Sequence, residues 1–191
     1  MKSKFSTIGQ SIPKIGVAER LRGKPIFSGD LELDDALVLK VLRSTKAHAR
    51  IVEINYDKAL RVNGVVRVFT AKDIPGKNLT GIINKDQPLL ADGKVRSVGD
   101  PVALIAAESE SAARSALDLI EVMYENLPAV FTTAEALKPG ASRVHEKGNL
   151  LFTRKVKKGD VDEAFKHSFL TVERTYYTTR IEHSYLEPDA G

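Results

Sequence analysis

The stretch from Ser97 to Leu137, SVGDPVALIAAESESAARSALDLIEVMYENLPAVFTTAEAL, constrains the fold more than any other part of the chain. It fits a strand, a helix and a second strand into about forty residues. Gly99, Asp100 and Pro101 make a tight turn. Val102 to Ala107 is a short apolar run bounded by turn signals, the pattern of a buried strand. Ser109 is placed to cap a helix running to Ile120 by accepting a hydrogen bond from a free backbone N–H. On that helix Ala112, Ala113, Ala116, Leu117 and Ile120 share one arc, and Glu110, Ser111, Arg114 and Asp118 the other. Alanines on the buried arc let the helix lie close to a sheet. Glu121 to Tyr124 alternates polar and apolar, and Glu125-Asn126-Leu127-Pro128 ends it. The unit packs well and carries no nucleophile, metal cluster or phosphate loop.

The surrounding chain reads as three parts. Residues 1–30 hold Gly9, Pro13, Gly16, Gly23, Pro25 and Gly29, too many breakers for a regular element, and are expected to form an extended arm across the domain. Residues 31–138 alternate strands and short helices. Leu37 to Arg43 and Ile51 to Ile54 are strand-like, Asp57 to Arg61 is a short helix with Asp57 as cap, and Val65 to Thr70 is a β-branched strand. Lys72 to Pro75 turns out of it, and residues 76–96 form a long loop or irregular hairpin. Residues 139–191 connect to a short helix, Asp162 to Lys166, and a long strand through Thr179. That strand presents unpaired backbone groups and aromatics, so residues from about 160 should pair with another chain, a second copy included, or be poorly ordered. The fold class is α+β, with helices packed on a mixed sheet.

Composition removes several function classes. The chain has 191 residues, no cysteine and a formal net charge of +4. Without cysteine there are no disulfides, thiolate catalysis, iron–sulfur ligation or cysteine zinc sites here. No window approaches the roughly 18 to 20 apolar residues of a membrane helix, and Met1 to Thr7 lacks the apolar core of a secretory signal. A cytoplasmic location with no membrane partner is expected. The basic run Arg154-Lys155-Val156-Lys157-Lys158 has only Phe152 beside it and acidic residues after it, so it reads as a solvated segment with no nucleic-acid partner.

Most polar residues have plain readings. His48 lies between two strands and packs a turn; His145 and His167 are isolated and face solvent. Asp34-Asp35 turns into a strand. Gly23-Lys24-Pro25 and Gly99-Asp100-Pro101 lack the spacing of a phosphate-cradling loop. One constellation stands out: His183, Tyr185 and Glu187 alternate, so a strand would point all three to one face.

The segment "VGDPVALIAAES…A…ALDLIEVMYENLPAVF…AL" resembles the molybdenum hydroxylase family of xanthine dehydrogenases and aldehyde oxidases, at the start of their large molybdopterin-binding subunit. "LVLKVLRSTKAHARIVEINYDKALRVNGVVRVFTAKDIPG" (Leu37 to Gly76) and "GDVDEAFKHSFLTVERTYYTTRIEHSYLEPDAG" (Gly159 to Gly191) agree with it in the family's order. The likeness covers nearly all of the chain from about Val17. Leu21-Arg22-Gly23-Lys24-Pro25 departs from the family's Val-Thr-Gly-x-Ala run, a matter of local packing. The resemblance implies an α/β hammerhead domain over residues 31–138 and the start of a molybdopterin-binding domain over 139–191. The family's glycine-rich cofactor loop and general-base glutamate lie beyond Gly191. By resemblance, then, this is the front of a large subunit, supplying scaffold and interface to an enzyme that oxidises an aldehyde or N-heterocycle. No catalytic, cofactor-binding or metal residue is expected in this chain. His183, Tyr185 and Glu187 would edge the substrate pocket. The whole enzyme implies molybdopterin with molybdenum, 2Fe–2S clusters and FAD. Its partners would be the remainder of the large subunit and the iron–sulfur and FAD subunits or domains, with self-association through the C-terminal strand as a further contact. The alternative is a free-standing, non-catalytic interaction module with the hammerhead fold.

Overall fold

Asp35 turns the chain through a left-handed conformation, φ 61, into the first strand, as the Asp34-Asp35 pair leads one to expect of a polar turn. The computed structural model describes residues 7–24, 27, 30, 31 and 33–185. Strands are β1 (Val38–Arg43), β2 (Ala49–Asn55), β3 (Val65–Phe69), β4 (Leu79–Thr80), β5 (Gln87–Pro88), β6 (Lys94–Val95), β7 (Pro101–Ala107) and β8 (Glu121–Asn126). Helices are α1 (Val17–Leu21), α2 (Glu110–Leu117), α3 (Thr133–Ala136) and α4 (Val161–Lys166). The chain divides into two units, Asp35–His167 and a second drawn from Met1–Asp34 and Ser168–Gly191.

In the first unit β7 is the centre of a sheet ordered β1-β7-β3, and β2 is the centre of another ordered β6-β2-β8. Val41 stands opposite Leu104 on one side of β7 and Val68 opposite Ile105 on the other. Period-2 alternation lets β7 serve two cores. Ala103, Ile105 and Ala107 face α2 and pack with Ala112, Ala113, Ala116, Val68 and Ile120. Val102 joins Ala49, Ala91 and Val95 in the second cluster, and Ile54 and Val122 pack against both. Helix α2 is set by its cap: Ser109 Oγ accepts from the Ala112 N–H at 3.2 Å. Its buried arc is the alanine arc read from sequence, while Glu110 ties outward to Lys40 and Arg114, each at 2.8 Å.

Four expectations are corrected. All pairings in the three sheets are antiparallel, where a mixed sheet was expected. Strand β7 is apolar on both faces and takes a central place, whereas β8, apolar on one face, crosses over α2 to pair with β2 in the other sheet. Asp57 caps nothing; the predicted helix is a 3-10 turn, Ala59–Arg61, with Lys58 at its start, and the Asp57 N–H donates to Asn55 Oδ1. Residues 7–24 are not wholly irregular, since Gly16 and Gly23 bracket the helix-compatible VAERLR and α1 forms between them. Gly23 takes φ 66, with its N–H on Arg20 O and the Lys24 N–H on Glu19 O, a left-handed helix end that glycine allows. Finally, α4 forms with Asp160 as its cap, but residues 169–185 are exposed and form no strand. A strand needs a ladder partner, and those residues have none among the described residues.

A polar clamp ends β3. The Thr70 N–H and hydroxyl donate to Asp73 Oδ2 at 2.8 and 3.1 Å, and Arg67 Nη2 donates to Asp73 Oδ1 at 3.0 Å. The backbone N–H of Thr70, then Arg67, hold the Asp73 carboxyl below the ordinary aspartate value. The ionised form is therefore favoured by folding. Its contribution is complete above the unfolded titration range and lost as pH falls through the lowered folded value.

Two outcomes follow for stability. Ala116→Phe should overpack the α2–β7 face and lower unfolding free energy by about 1–3 kcal/mol, read by thermal or urea unfolding; unchanged stability would refute the buried face. Asp73→Asn should cost about 1 kcal/mol at neutral pH, and its deficit against wild type should shrink as the solution is acidified below the usual carboxylate range. A deficit that stays constant with pH would show that the charge of Asp73 is not what matters.

Candidate functional site

The 96–100 turn that introduces β7 also forms a wall of a cavity. Asp100 folds back on the turn: its Oδ2 accepts from the Arg96 N–H at 2.7 Å and the Ser97 N–H at 3.3 Å, and its Oδ1 accepts from Ser97 Oγ at 2.6 Å. Gly99 takes φ 93, which a β-carbon would strain. Its N–H donates to Ser44 O, the Ser44 N–H donates to Asp100 O (both 2.8 Å), and its carbonyl accepts from Arg43 Nη1 at 2.9 Å. Three strand ends are thus tied into one rigid corner. Beside it lies a cavity of about 680 Å³ bounded by the corner, the β4–β5 hairpin and residues 144–151.

Asparagines hold the other walls. Asn78 Nδ2 donates to Leu90 O and its Oδ1 accepts from the Leu90 N–H, closing the hairpin loop onto the second core. Asn149 Nδ2 donates to Ala136 O and Ser142 O, and Oδ1 accepts from the Val144 N–H. Lys94 Nζ reaches Val144 O at 2.9 Å, and His145 Nδ1 lies 3.3 Å from Asp86 Oδ2. Burial, then the charge of Arg96, lowers the Lys94 pKa from its ordinary value. Sequence reasoning missed Arg43, Arg96, Asn78 and Asn149. Their signal was weak: single polar residues in loops or at strand ends, whose partners are backbone groups, for Arg43 in a turn 56 positions away.

His145, expected to face solvent, is half-buried in the cavity wall. Its partner Asp86 lies in the hairpin, a distance in sequence that no local pattern reveals. His167 is exposed and bonded to Glu163. His48 does pack a turn: it is 5% exposed, its Nδ1 donates to Pro128 O at 2.7 Å, and its Nε2 is buried without a partner. The basic run 154–158 is exposed throughout, with Arg154 set 5.3 Å over the Phe152 ring.

His183 and Tyr185 come together, with ring centroids 5.2 Å apart and planes within 9°. They do so without a strand: Ser184 between them takes φ 51, and both rings are exposed. Glu187 lies outside the described residues. Among the described residues no three His, Cys, Asp or Glu side chains converge as a metal site, and the sequence has no cysteine for an iron–sulfur cluster. The donor set does not fit molybdenum or 2Fe–2S ligation, so no chemical step is assigned to these residues.

With this geometry in view, comparison with known proteins is informative. Residues 22–128 match the family model for the aldehyde oxidase and xanthine dehydrogenase a/b hammerhead domain. The chain is 40% identical over 191 residues to the nicotinate dehydrogenase large molybdopterin subunit of Eubacterium barkeri, covering all of this chain and 45% of that protein. It is 42% identical over 172 residues to a probable xanthine dehydrogenase subunit of Bacillus subtilis (strain 168), covering 90% and 23%. The aldehyde oxidoreductase structure from Desulfovibrio desulfuricans ATCC 27774 superposes with a TM-score of 0.67 at 31% identity, over 74% of this chain and 17% of that one. The chain thus spans less than half the length of these relatives and is homologous to one portion of them.

Asp100→Ala should open the corner by removing three hydrogen bonds to one carboxylate, at a cost of about 2–4 kcal/mol. Chemical denaturation measures it; a loss under about half a kilocalorie would mean that the corner holds without its carboxylate.

Proposed function

The chain belongs to the aldehyde oxidase and xanthine dehydrogenase a/b hammerhead family, and from that premise we propose that it is part of the large subunit of a molybdenum-dependent oxidoreductase. The observation that carries the reading is identity along the whole chain to a large molybdopterin subunit. In this reading residues 31–138 are the hammerhead domain and 139–191 open the molybdopterin-binding domain. The chain contributes scaffold and interface. Substrate oxidation, of an aldehyde or an N-heterocycle, takes place on molybdopterin held by the rest of the subunit, with electrons leaving through 2Fe–2S clusters and FAD on partner domains or subunits.

Surface chemistry supports an interface role. Phe169, Tyr176 and Tyr177 are 105%, 85% and 92% exposed, and a run of bare aromatics is what a partner surface covers. His183, Tyr185 and Glu187 are assigned to the edge of the substrate region, on the premise that the rest of the large subunit packs beside them. Among the described residues no helix is long and apolar enough to cross a membrane. A cytoplasmic enzyme with neither membrane nor nucleic-acid partners is the location we assign.

The test is purification of the tagged chain from cells that make it. The proposal expects a large-subunit polypeptide, joined or associated, together with stoichiometric molybdenum, iron and flavin. The recombinant 191-residue chain alone should carry none of the three and show no aldehyde or heterocycle oxidation. Recovery from those cells as a free 191-residue species without these groups would favour the independent interaction module.

A further inference from the structure

Among the described cationic groups on the cavity, Arg96 is distinguished by a buried donor left without an acceptor. Arg96 lines the cavity, its Nε is buried without an acceptor, and its Nη1 has only Lys94 O at 3.5 Å. A guanidinium carries five donors in a planar fork that suits a carboxylate's two oxygens. Arg43, the second guanidinium on the cavity, is held at the same corner by Gly99 O. Lys147 lines it too, and Lys94 stands behind it.

The two carboxylates of the lining are engaged by groups other than the guanidiniums. Asp100 is committed to three donors on its own turn, and Asp86 to His145. Glu146 acts on Lys94 through charge alone. With Arg43, Arg96 and Lys147 set against Asp86 and Asp100, the lining keeps an excess of one positive charge beside apolar wall supplied by Leu89, Pro101 and Leu151. Its volume of about 680 Å³ is in the range that holds small organic ligands.

We propose that this cavity is a carboxylate-binding site in which the Arg96 and Arg43 guanidiniums receive the anion and the Leu89–Leu151 wall takes an apolar body. Capture of a free organic acid is independent of the redox reading, whereas capture of a side chain elsewhere in the large subunit rests on it. The carboxylate can come from a free organic acid or from an acidic side chain elsewhere in the large subunit. The chemistry of recognition is the same.

The experiment uses the full 191-residue chain, labelled with nitrogen-15. Sodium benzoate and sodium acetate are titrated separately at constant ionic strength, with sodium chloride as control, and the Arg96 Nε–H and backbone 96–100 signals are followed. Saturable shifts confined to the cavity, with a midpoint below about 10 mM, are expected. Binding should weaken about tenfold in Arg96→Gln, and less in Arg96→Lys, which keeps the charge but loses the fork. Lys147→Gln, at an exposed position, should weaken it a few-fold without risk to the fold. Benzoate binding about tenfold tighter than acetate supports a free acid whose apolar body rests on the wall; equal binding overturns the role of that wall. Linear shifts matching those in chloride, or midpoints unchanged in Arg96→Gln and Lys147→Gln, overturn the site.

Discussion

Strand β7 has to satisfy two cores with side chains that alternate every residue, and this constraint organises the rest of the main unit. Ala103, Ile105 and Ala107 need a helix close enough to touch alanine, so α2 must itself be alanine-faced. Val102, on the opposite pleat, needs a second sheet, which β2 supplies through Ala49. The largest fully buried side chains are only Ile105, Val95 and Val102. A core of such small groups gains less from burial per residue than one of leucine and phenylalanine. Its register must therefore be held by other means, and the Asp100 corner supplies them by fixing where β7 begins.

That corner couples the fold to the cavity. The Gly99 carbonyl that anchors Arg43 and the Asp100 carboxylate that orients the 96–100 turn are structural groups, yet they place two guanidiniums on one opening. Loop 142–149 closes the far wall through Asn149 and Lys94, so the cavity is framed by polar anchors instead of by an apolar core. Polar anchors of this kind are directional and give a defined wall geometry.

What the sequence made legible was local and periodic. The Ser109 cap, the alanine arc of α2, the β-branched run from Val65 and the short helix read at Asp162 to Lys166 each announce themselves within one or two turns of chain, and each forms, the last one residue longer and with Asp160 as an unforeseen cap. Partners of strands are not local. Nothing in Glu121–Asn126 says that it pairs with Ala49–Asn55 rather than with the strand before α2, and the expected mixed sheet fails there. Arg96 and His145 were illegible as cavity residues for the same reason: their setting is made by segments distant in sequence. The His183–Tyr185 stacking was not legible from alternation, because the strand that alternation assumed does not form and the rings meet across a left-handed Ser184.

Leu39 is 56% exposed on β1, Val66 54% on β3, where the ladder to β7 shifts register, and Met123 58% on β8. A strand residue pointing away from its own core usually turns polar when it meets water. Here three strands keep apolar groups outward, and Phe131 and Ile82 add to them from loops. Such a surface stabilises nothing within the unit Asp35–His167. It becomes favourable when another apolar surface covers it, at about 25 cal/mol per Å² removed from water. A hammerhead unit with a small alanine-lined interior and a generous apolar exterior gains stability from whatever apolar surface covers it, which is the physical sense of the scaffold role proposed above.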